Sequence, residues 1–156
     1  MYKVQRRLPT KDQKYNLWAL LDLVRHAIMR VRQKELNKYN VSVTQGTVLL
    51  IIEALGDEAT PNEISRWLFR EPQSVSGLLS RMKKQGLLYK VRDLDKKNMM
   101  RVVLTEKGRE AYYYSAREEA VRSIMSSLSE DECQQLASCL YTLWGKALEK
   151  LGIVEK

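Results

Sequence analysis

The chain of 156 residues contains one histidine, His26, one phenylalanine, two cysteines and three prolines. A single histidine leaves one position through which any Cys–His or Ser–His–Asp arrangement must pass. There is also no Gly-rich phosphate loop and no HExxH pair, so an enzyme is not expected. Cys133 and Cys139 lie six apart in one expected helix and on different faces, which excludes a bridge within it; no disulfide framework follows, and a reducing compartment fits. No apolar run approaches the length of a bilayer span, and the opening MYKVQRRLPTKDQK lacks the apolar core of a secretory signal. The expectation is a cytoplasmic chain with no membrane partner, no metal and no cofactor.

What the sequence does have is positive charge, 27 Lys and Arg against 19 Asp and Glu. The excess is uneven. Residues 1–40 carry ten basic and three acidic side chains, and residues 61–101 ten and four, whereas residues 102–156 carry seven and nine. A basic segment beside an acidic one suits a polyanion on one side of the molecule, although charge alone suits an anionic membrane or simple solubility equally well. With 44% hydrophobic residues there is enough apolar material for a real core in one or at most two domains.

The stretch from Thr60 to Gly108 decides between these readings. Thr60 as N-cap, Pro61 at the first helical position and Glu63 reaching back predict a capping box and a short helix whose buried side is Ile64, Trp67 and Leu68. Arg70-Glu71-Pro72 predicts a turn, because a residue before proline avoids helical geometry while proline itself can open a helix. In the helix that follows, Val75, Leu78, Leu79 and Met82 fall at i, i+3, i+4 and i+7 and define one apolar face. Gln73, Ser74, Ser76, Gly77, Ser80, Arg81 and Lys84 then point elsewhere, a small, polar and basic surface able to bond phosphates and base edges. Gly86 is the expected stop. Two β-prone runs, Leu87 to Arg92 and Met99 to Leu104, flank a polar tip with Asp93, Asp95, Lys96, Lys97 and Asn98, the pattern of a charged hairpin. Helix, turn, basic helix and hairpin in that order predict a winged helix-turn-helix that holds DNA.

The flanks read as helical. From Lys14 to about Asn40, Leu17, Leu20, Leu21, Val24, Ile28 and Val31 form an apolar stripe. Thr44 is the expected cap of a second helix, apolar nearly all round at Val48 to Ile52 and therefore expected at the centre of the core. Thr105 is expected to cap a helix reaching about Ser127. Ser129 with Glu132 predicts a capping box that opens a last helix to about Lys150. That helix carries two adjacent stripes, Cys133, Leu136, Leu140, Leu143, Ala147 and Ala137, Tyr141, Trp144, Leu148, Leu151. Two stripes exceed what one internal core requires, so the second is expected to meet another subunit.

With VTQGTVLLII at 43–52, SVSGLLSRMKKQGLL at 74–88, RDLDKK at 92–97 and LTEKG at 104–108, the chain resembles the MarR (multiple antibiotic resistance regulator) family over nearly its whole length. The resemblance implies a mainly α (α+β) fold, a winged helix-turn-helix with N- and C-terminal dimerisation helices. Residues 1–43 would form the N-terminal dimerisation helix, 44–104 the DNA-binding domain and 105–156 the C-terminal dimerisation helices, as one intertwined unit. It further implies a prokaryotic, DNA-associated transcriptional regulator, a repressor on a pseudo-palindromic operator, acting as a homodimer through Leu17, Leu21, Tyr141, Trp144, Leu148 and Leu151. Ser74, Ser76, Gly77, Ser80 and Arg81 would face the major groove, Gln73 and Lys84 the backbone, with Arg92, Lys96, Lys97 and Arg101 on the wing. Three departures temper base reading. Gly77 stands where many members carry a longer polar side chain, Ser80 stands where Asp is common, and Asp95 is followed two residues on by Lys97 instead of arginine, leaving Lys96, Lys97 and Arg101 as alternatives for that role.

A small aromatic effector is the implied partner besides double-stranded DNA. Asp22 and His26, at i and i+4, could help bind it or form a solvated helical pair. Of Tyr112, Tyr113 and Tyr114, which point in three directions, one is expected inside, and another, Tyr112 or Tyr113, could line an effector cleft, ordinary packing or surface placement being the alternative. Two other readings remain: a winged-helix protein-interaction module, and a redox-responsive regulator using Cys133 or Cys139, against which Glu130, Asp131 and Glu132 around Cys133 disfavour the thiolate.

Overall fold

Asp12 starts the first helix by accepting the Lys14 and Tyr15 N–H groups at 2.9 and 3.2 Å, and α1 runs Gln13–Leu36. The computed structural model describes residues 10–92, 99–117 and 119–153, which divide into two compact units, the first ending at Ala120 and the second beginning at Val121.

In the first unit a 3₁₀ turn, Asn37–Tyr39, and Asn40 in left-handed geometry lead to α2, Val43–Leu55. Ser42, not Thr44, caps α2. Its hydroxyl accepts the Gln45 N–H, and the Gln45 side chain accepts the Ser42 N–H at 2.8 Å, so a capping box starts the helix two residues before the expected cap. Ser42→Ala is expected to cost about 1 kcal/mol in chemical denaturation. Val48, Leu49, Ile51 and Ile52 are buried but Leu50 is exposed, so α2 is central on one side only.

Helix α3, Pro61–Leu68, receives half of its expected capping box. Thr60 accepts the Glu63 N–H, but the Glu63 carboxylate turns to Arg66 at 2.7 Å. Trp67 is exposed, contrary to the sequence pattern, because the buried face is Ile64 with Ser65, whose hydroxyl donates to the Arg70 carbonyl at 2.6 Å and ties down the turn. Phe69 in that turn has φ of 50°, an unusual conformation for a bulky residue. Pro72 opens α4, Pro72–Lys84, which buries Val75, Leu78, Leu79 and Met82, and Gly86 takes the positive φ that ends it.

Strands β1, Leu88–Arg92, and β2, Met100–Leu104, pair antiparallel with Leu88 opposite Leu104 and Arg92 opposite Met100. Val102 N–H also donates to the Ala59 carbonyl at 2.7 Å, attaching the loop before α3 to the hairpin. One apolar cluster from α2, α3, α4, both strands and Ala111 of α5, Glu106–Arg117, fills the interior. Helix α6, Glu119–Met125, comes next in the chain.

The second unit contains α7, Glu130–Lys150. Its Ser129–Glu132 capping box forms as the sequence predicts and holds the Glu132 carboxyl below its usual range through the Ser129 backbone and hydroxyl hydrogen bonds.

Candidate nucleic-acid interface

Helix α4 presents two sides with different chemistry. The buried side holds it on the core, and Gln73, Ser74, Ser76, Ser80, Arg81 and Lys84 are exposed on the other, with Gly77 half-buried. The Ser80 hydroxyl donates to the Ser76 carbonyl at 2.8 Å, so this side chain is turned back on its own helix. A cleft of about 660 Å³ lies along α4, and its lining includes Gln73, Ser74, Gly77 and Arg81 from the helix and Arg70 from the turn. Ser42, Thr44 and Gln45 at the start of α2 form the rest.

The contribution of α2 was not evident from the sequence. It arises from packing: Gln45, while completing its cap, also donates through Nε2 to Gln85 Oε1 at 2.6 Å, which joins the first turn of α2 to the end of α4 across 40 residues of chain. The cap motif Ser42-x-x-Gln45 signalled a helix start but not its place beside α4. The face therefore combines two arginines, hydroxyl groups and a helix N-terminus with its partial positive charge, a set suited to phosphate oxygens.

At the wing, Arg92 is exposed at the end of β1, while Arg101 is committed to Asp57 at 2.6 Å. Lys96 and Lys97 lie outside the described residues. Asp22 and His26 form an exposed group with Arg25 on α1, with His26 Nδ1 3.3 Å and Arg25 3.1 Å from the Asp22 carboxylate. Tyr112 packs against the core and Tyr113 points outward, where Arg117 donates to its hydroxyl at 3.3 Å and holds the phenol below its ordinary pKa. Tyr112 and Tyr113 thus face different surroundings. Cys133, half-buried, and Cys139, exposed, are free thiols on α7. Of the interface candidates, Leu17 and Leu21 on α1 and Tyr141, Trp144 and Leu151 in the second unit are exposed; Leu148 is already buried within one chain and has little surface left to offer a partner.

The MarR family's sequence profile matches residues 39–97. The organohalide-sensing RdhR-CbdbA1625 transcriptional regulator, solved with 2,4-dichlorophenol bound, is 32% identical to this chain, covers 94% of it and 90% of its own length, and has a TM-score of 0.79. The S. aureus MepR–DNA complex shares the fold at 23% identity, covering 87% of this chain and 99% of its own, with a TM-score of 0.77. A mutant of E. coli MarR complexed with operator DNA does so at 19% identity, the same coverages and the same TM-score. No curated protein matches the sequence. The profile spans the helix-turn-helix region and the likeness to RdhR runs nearly end to end, so the chain belongs to the MarR family of transcriptional regulators.

Proposed function

We propose that the protein is a sequence-specific, double-stranded-DNA-binding repressor that works as a homodimer on a pseudo-palindromic operator and is released by a small effector. The face formed by α4, Arg70 and the start of α2 carries the reading, because it joins a helix of small polar side chains to arginines and a helix N-terminus. The exposed Leu17, Leu21, Tyr141, Trp144 and Leu151 support a second copy as the partner, since so much apolar surface is costly to leave in water. With Arg101 held by Asp57, Lys96 and Lys97 are the better candidates for the flanking minor groove. RdhR senses organohalides, and MepR and MarR have been solved on DNA, which supports the DNA target and an aromatic effector.

Footprinting on DNA upstream of the protein's own gene tests the proposal. Two protected half-sites about one helical turn apart are expected; a single half-site would remove the dimer, and no protection at any site would favour a protein-interaction module.

Gly77 supplies a separate check. A Cβ there would meet only Arg81 Nη1 at 3.9 Å, so the protein's own packing does not require glycine. Gly77→Ala is expected to raise stability by up to about 1 kcal/mol through helix propensity. It is also expected to weaken operator binding, because the added methyl stands where the helix must approach DNA. Unchanged affinity in a binding titration would mean that α4 does not seat at this point.

A further inference from the structure

Gln85 caps the C-terminus of α4 one turn beyond Arg81, whose carbonyl accepts its N–H, and the residue is exposed. It is held from two sides. Lys107, in the first turn of α5, donates to the Gln85 carbonyl at 2.8 Å, and Gln45 Nε2 donates to Gln85 Oε1 at 2.6 Å. Gln45 and Arg81 both line the cleft along α4, so Gln85 stands at the end of that cleft.

The direction of these bonds fixes which atom of Gln85 is left to a partner. A backbone N–H only donates, so the Ser42 N–H, 2.8 Å from the Gln45 side chain, requires the amide oxygen of Gln45 at that place. The amide nitrogen of Gln45 is then turned to Gln85, and because it too only donates, it must meet Gln85 Oε1. What remains is Gln85 Nε2, with two N–H groups and no partner among the described residues. The capping box that starts α2 thus orients a donor at the far end of α4.

We infer that Gln85 is a further DNA contact, its amide N–H groups donating to a phosphate oxygen at the edge of the duplex held by the α4–α2 face. Its donors are set in advance, so little side-chain freedom is lost on binding. Arg81 and Lys84, both exposed in the last turn of α4, draw the phosphate towards it. This deepens the DNA-binding reading proposed above and rests on it. It also gives the Ser42–Gln45 box a second task besides starting α2.

The test is fluorescence anisotropy of the full-length protein with the footprinted operator and with an unrelated duplex of equal length, on the wild type, Gln85→Met, Gln45→Glu and the double variant. Gln85→Met is expected to weaken binding to both duplexes about tenfold or more, since each protomer loses a bond to a charged acceptor. Gln45→Glu still accepts the Ser42 N–H, but its second carboxylate oxygen makes Gln85 donate inward and turn its own oxygen to the phosphate. It is therefore expected to bind both duplexes about tenfold or more weakly although Gln85 is intact. Adding Gln85→Met to Gln45→Glu is expected to cost less than a factor of about two, because the outward donor is already lost. Gln85→Met affinity within a factor of about two of wild type would overturn the contact, as would a loss confined to the operator, which marks a displaced α4. An equal loss from Gln85→Met in both backgrounds would overturn the orienting role of Gln45. If the wild type binds neither duplex, the DNA-binding reading falls and the contact with it.

Discussion

Gly108→Ala is expected to destabilise the protein by about 2 kcal/mol, even though alanine is the better helix former. Gly108 lies in the first turn of α5, where the chain is laced to the turn between α4 and β1. Thr105 N–H donates to the Leu87 carbonyl at 3.1 Å, the Thr105 hydroxyl donates to the Gly86 carbonyl at 2.6 Å, and Gly108 N–H donates to that hydroxyl at 3.0 Å. A Cβ on Gly108 would stand 1.9 Å from the Leu87 carbonyl oxygen, which is backbone and already bonded. Relief requires α5 to move off the turn and to lose some of those bonds. Helix propensity returns about 1 kcal/mol, while overpacking against a fixed group costs about 3 kcal/mol at the upper end of its usual span. The clash wins, and thermal unfolding should show a midpoint lowered by about 6 °C. A midpoint equal to or above wild type would mean that α5 does not dock on Leu87. Because Gly77→Ala carries the same chemical change in open space, the two glycines should move stability in opposite directions.

Arg81→Ala is expected to weaken operator binding by about a hundredfold while leaving the unfolding midpoint unchanged. Arg81 is exposed in the last turns of α4 and lines the α4–α2 cleft with Arg70. A lost arginine contact costs about 1–3 kcal/mol, and a symmetric dimer loses it twice. Comparison of operator with unrelated duplex then sorts the contact: equal loss on both marks a phosphate contact, and loss confined to the operator marks base reading. Operator affinity within a factor of about two of wild type, well short of one lost contact, would remove Arg81 from the interface.

Elements with a strong repeating pattern were legible in the sequence. Val75, Leu78, Leu79 and Met82 give α4 its orientation, and the Ser129–Glu132 box starts α7 where the pattern says. Errors arose where one local signal competed with tertiary packing. Trp67 has the apolar character of a core residue, yet in an eight-residue helix the inward position goes to Ser65, because its hydroxyl is needed at Arg70. Ser42 displaces Thr44 as cap because Gln45 both closes the box and reaches Gln85. The α4 side of the interface could be read from its periodicity. The contributions of Ser42, Thr44 and Arg70, and the meeting of Tyr39 with Tyr114, depend on which distant segments touch, which no spacing in the chain encodes.

As a dimeric regulator, the protein is expected to grip the phosphates of one duplex with two copies of the α4–α2 face. The most direct measurement is fluorescence anisotropy of the footprinted duplex, titrated at salt concentrations from about 50 to 200 mM. With six to ten phosphates neutralised, affinity should fall by about 10³-fold or more across that range, with two protomers bound per duplex. A flat salt dependence, or saturation at one protomer, would mean that the two faces do not hold the duplex in this way.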